Sequence, residues 1–126
     1  MRQAVREARK GEGCTRPNPP VGAVIVKAGR VIGKGYHHAA GMPHAEIEAS
    51  NSCRGSAKGA ALYVTLEPCC HHGNQPPCVD AIIEENISSV FIGISDPNPL
   101  VANKGIQKLK SAGVDVQVGI IPRECE

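Results

Sequence analysis

The sequence predicts an α/β protein, a three-layer αβα sandwich in which a mixed five-stranded sheet lies between helices. Two observations lead to this fold class. In the second half of the chain, short runs rich in valine and isoleucine alternate with helical segments, and strands joined through helices pair in parallel by right-handed crossovers. In the first half, two Val/Ile-rich runs flank a turn at 27–30, which predicts an antiparallel hairpin ahead of the parallel strands.

The elements are predicted in the order α-β-β-α-β-α-β-α-β. The first helix ends at the glycines of the GEG stretch and turns Ala4, Val5 and Ala8 inward. The second begins at Pro43 and has glutamates near its start, where the positive end of the helix dipole favours them. The predicted helices cover 2–10, 43–53, 76–87 and 104–113, and the predicted strands lie within 21–36 (the hairpin), 60–67, 88–96 and 114–120.

The composition argues against a nucleic-acid partner and against a membrane span. Two tyrosines and one phenylalanine are too few to stack single-stranded bases, and the net charge of +2 comes without a run of basic residues. The longest apolar run, VGAVIV, is far too short to cross a bilayer. The charged, helical first ten residues are not typical of a signal peptide. We therefore expect a cytoplasmic protein of one domain, 1–126, whose six cysteines are thiols or metal ligands.

One stretch, TLEPCCHHGNQPPC (65–78), places three cysteines and two histidines at the carboxyl end of the third predicted strand. In open α/β sheets this end of a parallel strand borders the binding crevice. The helix that follows carries Cys78 in its first turn, and the helix before the strand opens with His44. If the two helix starts face each other, His44, Cys69 and Cys78 converge. Three nitrogen and sulfur ligands leave the fourth position of a tetrahedral Zn²⁺ open, as in catalytic zinc sites.

Glu46, two residues after His44, is predicted to be the catalytic proton shuttle. At this spacing it does not share the bearing of His44 on the helix, but it can reach the open metal position. A carboxylate there would take a proton from metal-activated water and deliver it to a ring nitrogen. A His-x-Glu segment followed by Pro-Cys and a second cysteine is typical of zinc nucleobase deaminases. Here Pro68 and Cys69 match, whereas the second cysteine, Cys78, follows after eight residues rather than two.

Four blocks in order carry a resemblance along the chain: PNPPVGAVIV, GYHHAAGMPHAE, TLEPCCHHGNQPPC and DPNPLVANKGIQKLKSAGVDV. The chain is similar to the diaminohydroxyphosphoribosylaminopyrimidine deaminase domain of riboflavin-biosynthesis proteins, in the cytidine/deoxycytidylate deaminase superfamily. The resemblance implies a cytidine-deaminase-like fold, a Zn²⁺ cofactor and a homo-oligomer (dimer or tetramer). It also implies hydrolytic release of the 2-amino group of 2,5-diamino-6-ribosylamino-4(3H)-pyrimidinone 5′-phosphate as ammonia. By motif position, His44, Cys69 and Cys78 look like the zinc ligands and Glu46 like the proton shuttle.

The resemblance further implies substrate-binding residues. Asn18, His37 and His71 match positions that line the substrate pocket in that family. Asn74 stands where the family usually has a lysine or arginine expected to contact the substrate, and Cys70 stands where it usually has a serine. The bacterial proteins usually continue into a reductase domain, which this chain, ending in IIPRECE, is expected to lack.

Two alternatives stay open on the sequence. The same zinc chemistry would serve another base or nucleoside, such as cytosine, cytidine or guanine, and Asn74 favours a substrate that lacks the usual basic contact. Alternatively, Cys70 would join the three other ligands and close a structural zinc site in a non-enzymatic module. Glu67 is expected to bond neighbouring backbone and brace the Cys/His loop.

Overall fold

A computed structural model describes residues 1–10, 21–36, 44–68, 78–94 and 103–120, except for the side chain of Arg2. Within these ranges the chain forms four helices and five strands in the predicted order. The helices are α1 (Arg2–Arg9), α2 (Ala45–Asn51), α3 (Cys78–Glu84) and α4 (Lys104–Ser111); the strands are β1 (Gly22–Lys27), β2 (Arg30–Tyr36), β3 (Ala61–Leu66), β4 (Ser89–Ile94) and β5 (Asp115–Val118). Pro43, predicted to start the second helix, lies outside the described residues.

The strands form one sheet in the order β2-β1-β3-β4-β5. Strand β1 pairs antiparallel with both β2 and β3, whereas β3, β4 and β5 pair in parallel. The parallel pairs are those joined through α3 and α4, because a strand that returns through a helix enters the sheet in the same direction. The predicted mixed five-stranded sheet is therefore confirmed.

The β1–β2 hairpin turns at Ala28 and Gly29, as predicted. Both residues have positive φ (52° and 75°), which is the backbone of a type I′ turn and matches the twist of the two strands. One extra residue in β2 interrupts the pairing between Ile25 and Val26 of β1. At this bulge the backbone N–H of Arg54 donates to the carbonyl of Ile32 at 2.8 Å, so the chain after α2 is fastened to strand β2.

Helices cover both faces of the sheet, as expected for three layers. A side chain at Gly22 would meet the backbone of α1, with its Cβ 1.9 Å from the carbonyl oxygen of Ala4. A side chain at Gly35, which pairs with the next residue of β1, would meet α2 instead, with its Cβ 2.6 Å from the amide of Ala49. Since neighbouring residues of a strand point to opposite faces, α1 and α2 lie on opposite sides of the sheet.

The main core lies between the sheet and the layer formed by α2, α3 and α4. It is built from alternate strand positions and the inward stripes of these helices, and its fully buried members include Ile25, Leu62, Val64, Val90, Ile92, Ala45, Ala49, Val79 and Leu109. This packing holds the starts of α2 and α3 at the carboxyl ends of the parallel strands, which is where the sequence predicts the site.

Candidate metal centre

His44 is the residue that precedes α2, and its position is set by the helix. Its backbone is extended (φ −69°, ψ 163°), and its carbonyl accepts the first helical hydrogen bond from the N–H of Glu48 at 3.0 Å. Helix α2 in turn rests directly on β2, because Gly33 and Gly35 have no side chains to hold it away. The imidazole therefore starts from a backbone position fixed by both helix and sheet.

Cys78 is the first residue of α3 and is fully buried. Its Sγ lies 3.2 Å from Nδ1 of His44, so the starts of α2 and α3 meet at these two side chains. The predicted approach of the two helix starts is observed for this pair. Cys69, the third member of the predicted ligand set, lies outside the described residues, as does Cys70.

The His44–Cys78 pair fits a zinc site. With Zn–N of 2.0–2.1 Å and Zn–S of 2.3 Å, two ligands of one tetrahedral zinc are about 3.6 Å apart, a few tenths of an ångström more than the observed separation. An imidazole nitrogen and a thiol sulfur are also the donor types that Zn²⁺ prefers. In the part of the chain that the structure describes, no group of three His, Cys, Asp or Glu side chains could hold a metal ion, so the described residues supply two of the three predicted ligands.

Glu46 is the second residue of α2 and is buried, with 7% of its surface exposed. Ala45 and Ala49, four residues apart, point into the core, and Glu46 lies about 100° further round the helix. Burial of a carboxylate is costly unless it is bonded, and glutamate is rarely found so deep. A buried acidic side chain within one turn of His44 indicates that the start of α2 has a functional role, because the start of an ordinary surface helix would leave it exposed.

The segment that leads to Cys69 is tied down at the end of β3. Strand β3 ends at Leu66, and the N–H of Glu67 donates to the carbonyl of Ile94 at the end of β4 at 3.0 Å. Pro68, which follows, is fully buried. The chain therefore enters the Cys/His loop from a fixed point at the edge of the parallel strands.

The Glu67 carboxylate accepts two hydrogen bonds from partners that the sequence does not reveal. Oε1 accepts from the backbone N–H of Asn103 and Oε2 from that of Gly105, each at 3.0 Å. Glu67 was expected to bond neighbouring backbone; it does bond backbone, but the partners lie 36 and 38 residues away in the chain.

The predicted substrate-binding residues lie outside the described parts of the chain: Asn18, His37, His71 and Asn74. Their roles, like the ligand role of Cys69, stay predictions.

Comparison with known proteins identifies the family of this chain. Residues 1–94 match the family model described as the cytidine and deoxycytidylate deaminase zinc-binding region. This chain belongs to the cytidine and deoxycytidylate deaminase family. The resemblance and the cytidine-deaminase-like fold predicted from the sequence are thereby confirmed.

Within this family the chain is similar to riboflavin-biosynthesis proteins. RibD of Actinobacillus pleuropneumoniae is 53% identical over 126 residues, which are 100% of this chain and 34% of that protein. A diaminohydroxyphosphoribosylaminopyrimidine deaminase/5-amino-6-(5-phosphoribosylamino)uracil reductase from Thermotoga maritima has a TM-score of 0.93 at 49% identity, over 99% of this chain and 36% of that chain. The Rib2 deaminase of Aspergillus oryzae in complex with DARIPP has a TM-score of 0.75 at 30% identity, over 93% of this chain and 80% of that one.

The chain spans about a third of the length of its RibD relatives. Among the described residues, no helix combines the length and the apolar character needed to cross a membrane.

Proposed function

We propose that this chain is a zinc-dependent hydrolase that deaminates 2,5-diamino-6-ribosylamino-4(3H)-pyrimidinone 5′-phosphate. The products are the 5-amino-6-ribosylaminouracil phosphate and ammonia. The observation that carries the proposal is the 3.2 Å approach of His44 Nδ1 to Cys78 Sγ, one turn from a buried glutamate. The family membership and the activity named for the Thermotoga maritima relative support this reaction over other uses of the same pair.

Three side chains would hold the metal: His44, Cys69 and Cys78. One nitrogen and two sulfurs leave one tetrahedral position open, which distinguishes a catalytic site from a closed structural one. Bound Zn²⁺ supplies Lewis acidity that makes water a nucleophile near neutral pH. Cys70, beside Cys69, would be a bystander in this arrangement rather than a fourth ligand.

Glu46 would move the protons. Its carboxylate takes one proton from the attacking water and gives it to a ring nitrogen, then takes the second from the hydroxyl formed on C2 and gives it to the departing amino group. The water oxygen forms the new bond to C2, and the C2–N bond to the 2-amino group breaks as ammonia leaves. Burial of Glu46 suits this task, because a carboxylate shielded from bulk water exchanges its proton with the bound reactants.

Substrate contacts are proposed from motif position. Asn18, His37 and His71 would line the pocket, and Asn74 would offer an amide where relatives usually have a basic side chain. The partner is a small pyrimidine nucleotide, consistent with the DARIPP complex of the Aspergillus oryzae relative. We also propose that residues 1–126 act as one deaminase domain, in the cytoplasm, within a homo-oligomer; these points rest on the composition and on the family resemblance.

An ammonia-release assay tests the proposal. Purified protein is incubated with the phosphorylated pyrimidinone and, in parallel, with cytosine, cytidine, guanine and tRNA, and ammonia is measured in each. We expect release from the pyrimidinone alone, and loss of release after zinc is removed by a chelator. Release from another base would move the substrate assignment, whereas release that survives exhaustive chelation would contradict the zinc mechanism. No release from any substrate by zinc-loaded protein would favour the structural zinc module.

A further inference from the structure

Helix α4 begins without a cap of its own. Its N-cap residue, Asn103, makes no side-chain capping bond, and its first turn contains no acidic residue. Asn103 also has a left-handed backbone (φ 67°), which asparagine tolerates better than most residues. The free N–H groups of a helix start must find acceptors elsewhere.

Glu67 supplies these acceptors from across the fold. Its two carboxylate oxygens bind the N–H groups of Asn103 and Gly105, and its own backbone N–H binds the carbonyl of Ile94. Glu67 is buried, with 7% of its surface exposed. The negative charge also lies at the positive end of the α4 dipole, which favours the same arrangement. The residue is thus held at three points, on β4 and on the first turn of α4.

Gly105 lies at the junction of the two segments that carry the proposed cysteine ligands. A Cβ at this position would be 2.4 Å from the carbonyl oxygen of Pro68, 3.3 Å from Glu67 Oε2 and 3.4 Å from Cγ2 of Val79. Pro68 immediately precedes Cys69, and Val79 immediately follows Cys78. The first turn of α4 therefore contacts the neighbour of each cysteine, and only a residue without a side chain allows this approach.

We propose that Glu67 is a positioning residue for the metal centre. Through its two bonds to the start of α4, it fixes the distance between Pro68, which precedes Cys69, and Val79, which follows Cys78. The inference rests on the proposed function, because it takes these cysteines as zinc ligands. Groups that orient metal ligands without binding the metal change affinity by about 10- to 100-fold when removed.

The test measures zinc release from the loaded full chain to a chromogenic chelator, together with the melting temperature. Glu67→Ala removes both acceptors, and Glu67→Gln keeps one acceptor oxygen but turns an amide N–H₂ toward the other backbone donor. Gly105→Ala leaves the carboxylate intact and displaces the Pro68 carbonyl. Thr65→Val is the matched control, since it removes a different buried side-chain bond, from the N–H of Gly22 at 3.2 Å, two residues before Glu67.

We expect Glu67→Ala and Gly105→Ala to release zinc about 10- to 100-fold faster than the unmodified chain, with Glu67→Gln in between and Thr65→Val unchanged. Cobalt-substituted Glu67→Ala should also show an altered visible spectrum, because a shifted cysteine changes the ligand field. If Glu67→Ala does not fold, Gly105→Ala and Glu67→Gln decide the matter.

Two results would overturn the inference alone: unchanged zinc release in the Glu67 and Gly105 variants, or equally fast release in Thr65→Val, which would reveal general destabilisation. If the unmodified chain binds no zinc through His44 and Cys78, the proposed function fails first, and this outcome is visible before any Glu67 variant is made.

Discussion

The two ends of the α2–α3 helix pair each present a cysteine, and the surroundings of the two thiols differ. At the N-terminal ends, Cys78 meets the imidazole of His44. At the C-terminal ends, the Ser50 hydroxyl donates to the Glu85 carboxylate, and Cys53 lies in the same surface cleft. Because the two N-terminal ends lie together and the two C-terminal ends lie together, α2 and α3 run parallel to each other.

The difference shows that a thiol packed against the core does not by itself make a metal site. Cys53 packs against Gly33 and the edge of the core, where it fills space as a small apolar side chain. Burial, and to a smaller degree the negative charge of Glu85, raises the pKa of its thiol, so the protonated form persists. Cys78 has instead a nitrogen donor at contact distance. The two ends therefore differ in the depth of the sulfur and in its neighbours: Cys78 is buried beside an imidazole nitrogen, whereas Cys53 is only partly buried.

The largest expected effect comes from Glu46→Gln, which removes the proton acceptor at the N-terminal end and leaves the His44–Cys78 pair untouched. We expect kcat to fall by about 10²- to 10⁴-fold, the usual contribution of general acid–base catalysis, with zinc content unchanged. Ammonia release and metal analysis measure the two quantities. Glu48→Gln, two residues along the same helix, is the control and should retain activity. Full turnover in Glu46→Gln would remove the shuttle role.

A pair of serine substitutions tests the comparison directly. Cys78→Ser should lower zinc affinity by more than the roughly 10- to 100-fold that loss of a supporting group costs, because a ligand itself is lost. Cys53→Ser, the same change at the other end of the helix pair, should bind zinc as the unmodified chain does. Competition with a chelator of known affinity measures both. Equal zinc affinity in the two variants would mean that the two ends are not distinct.

The smallest effect concerns the titration of Cys53. Since the folded-state pKa lies above that of an ordinary cysteine, alkylation of Cys53 in the native protein should reach half of its maximal rate at a higher pH than in urea. Glu85→Gln removes one of the two causes and should lower that pH. Peptide mass spectrometry after timed alkylation follows this one cysteine, and identical profiles in native and unfolded protein would contradict the expectation.

The raised pKa of Cys53 also makes the free energy of unfolding depend on pH. Below the ordinary cysteine pKa, both states hold the proton and the contribution of Cys53 to folding is fully present. Between that pKa and the raised folded value, the native state binds more protons than the unfolded state, so the free energy of unfolding decreases as pH rises.

Much of the fold could be predicted because its signals are local. The hairpin is encoded by two Val/Ile-rich runs around Ala28 and Gly29, and the parallel order follows from strands that alternate with helices. The meeting of His44 and Cys78 was also predictable, since both residues start helices that border the same edge of the sheet.

The partners of Glu67 could not be predicted, because no local rule links a strand end to a helix start 36 residues later. Such a contact depends on how α4 packs after it crosses the sheet. The burial of Glu46 is similar: the sequence places it two residues after His44, but its depth depends on tertiary packing, which no local pattern reveals.

The close packing of α2 on the edge strand β2 lets this strand help to set the position of His44. At Gly33, a methyl group would stand 2.4 Å from the carbonyl oxygen of Ala49, so backbone lies on backbone with nothing compressible between the layers. The height of the His44 imidazole above the sheet therefore depends on the distance at which the backbone of α2 packs on the backbone of β2. Substitutions at the glycines of this edge strand are therefore expected to shift the histidine nitrogen itself.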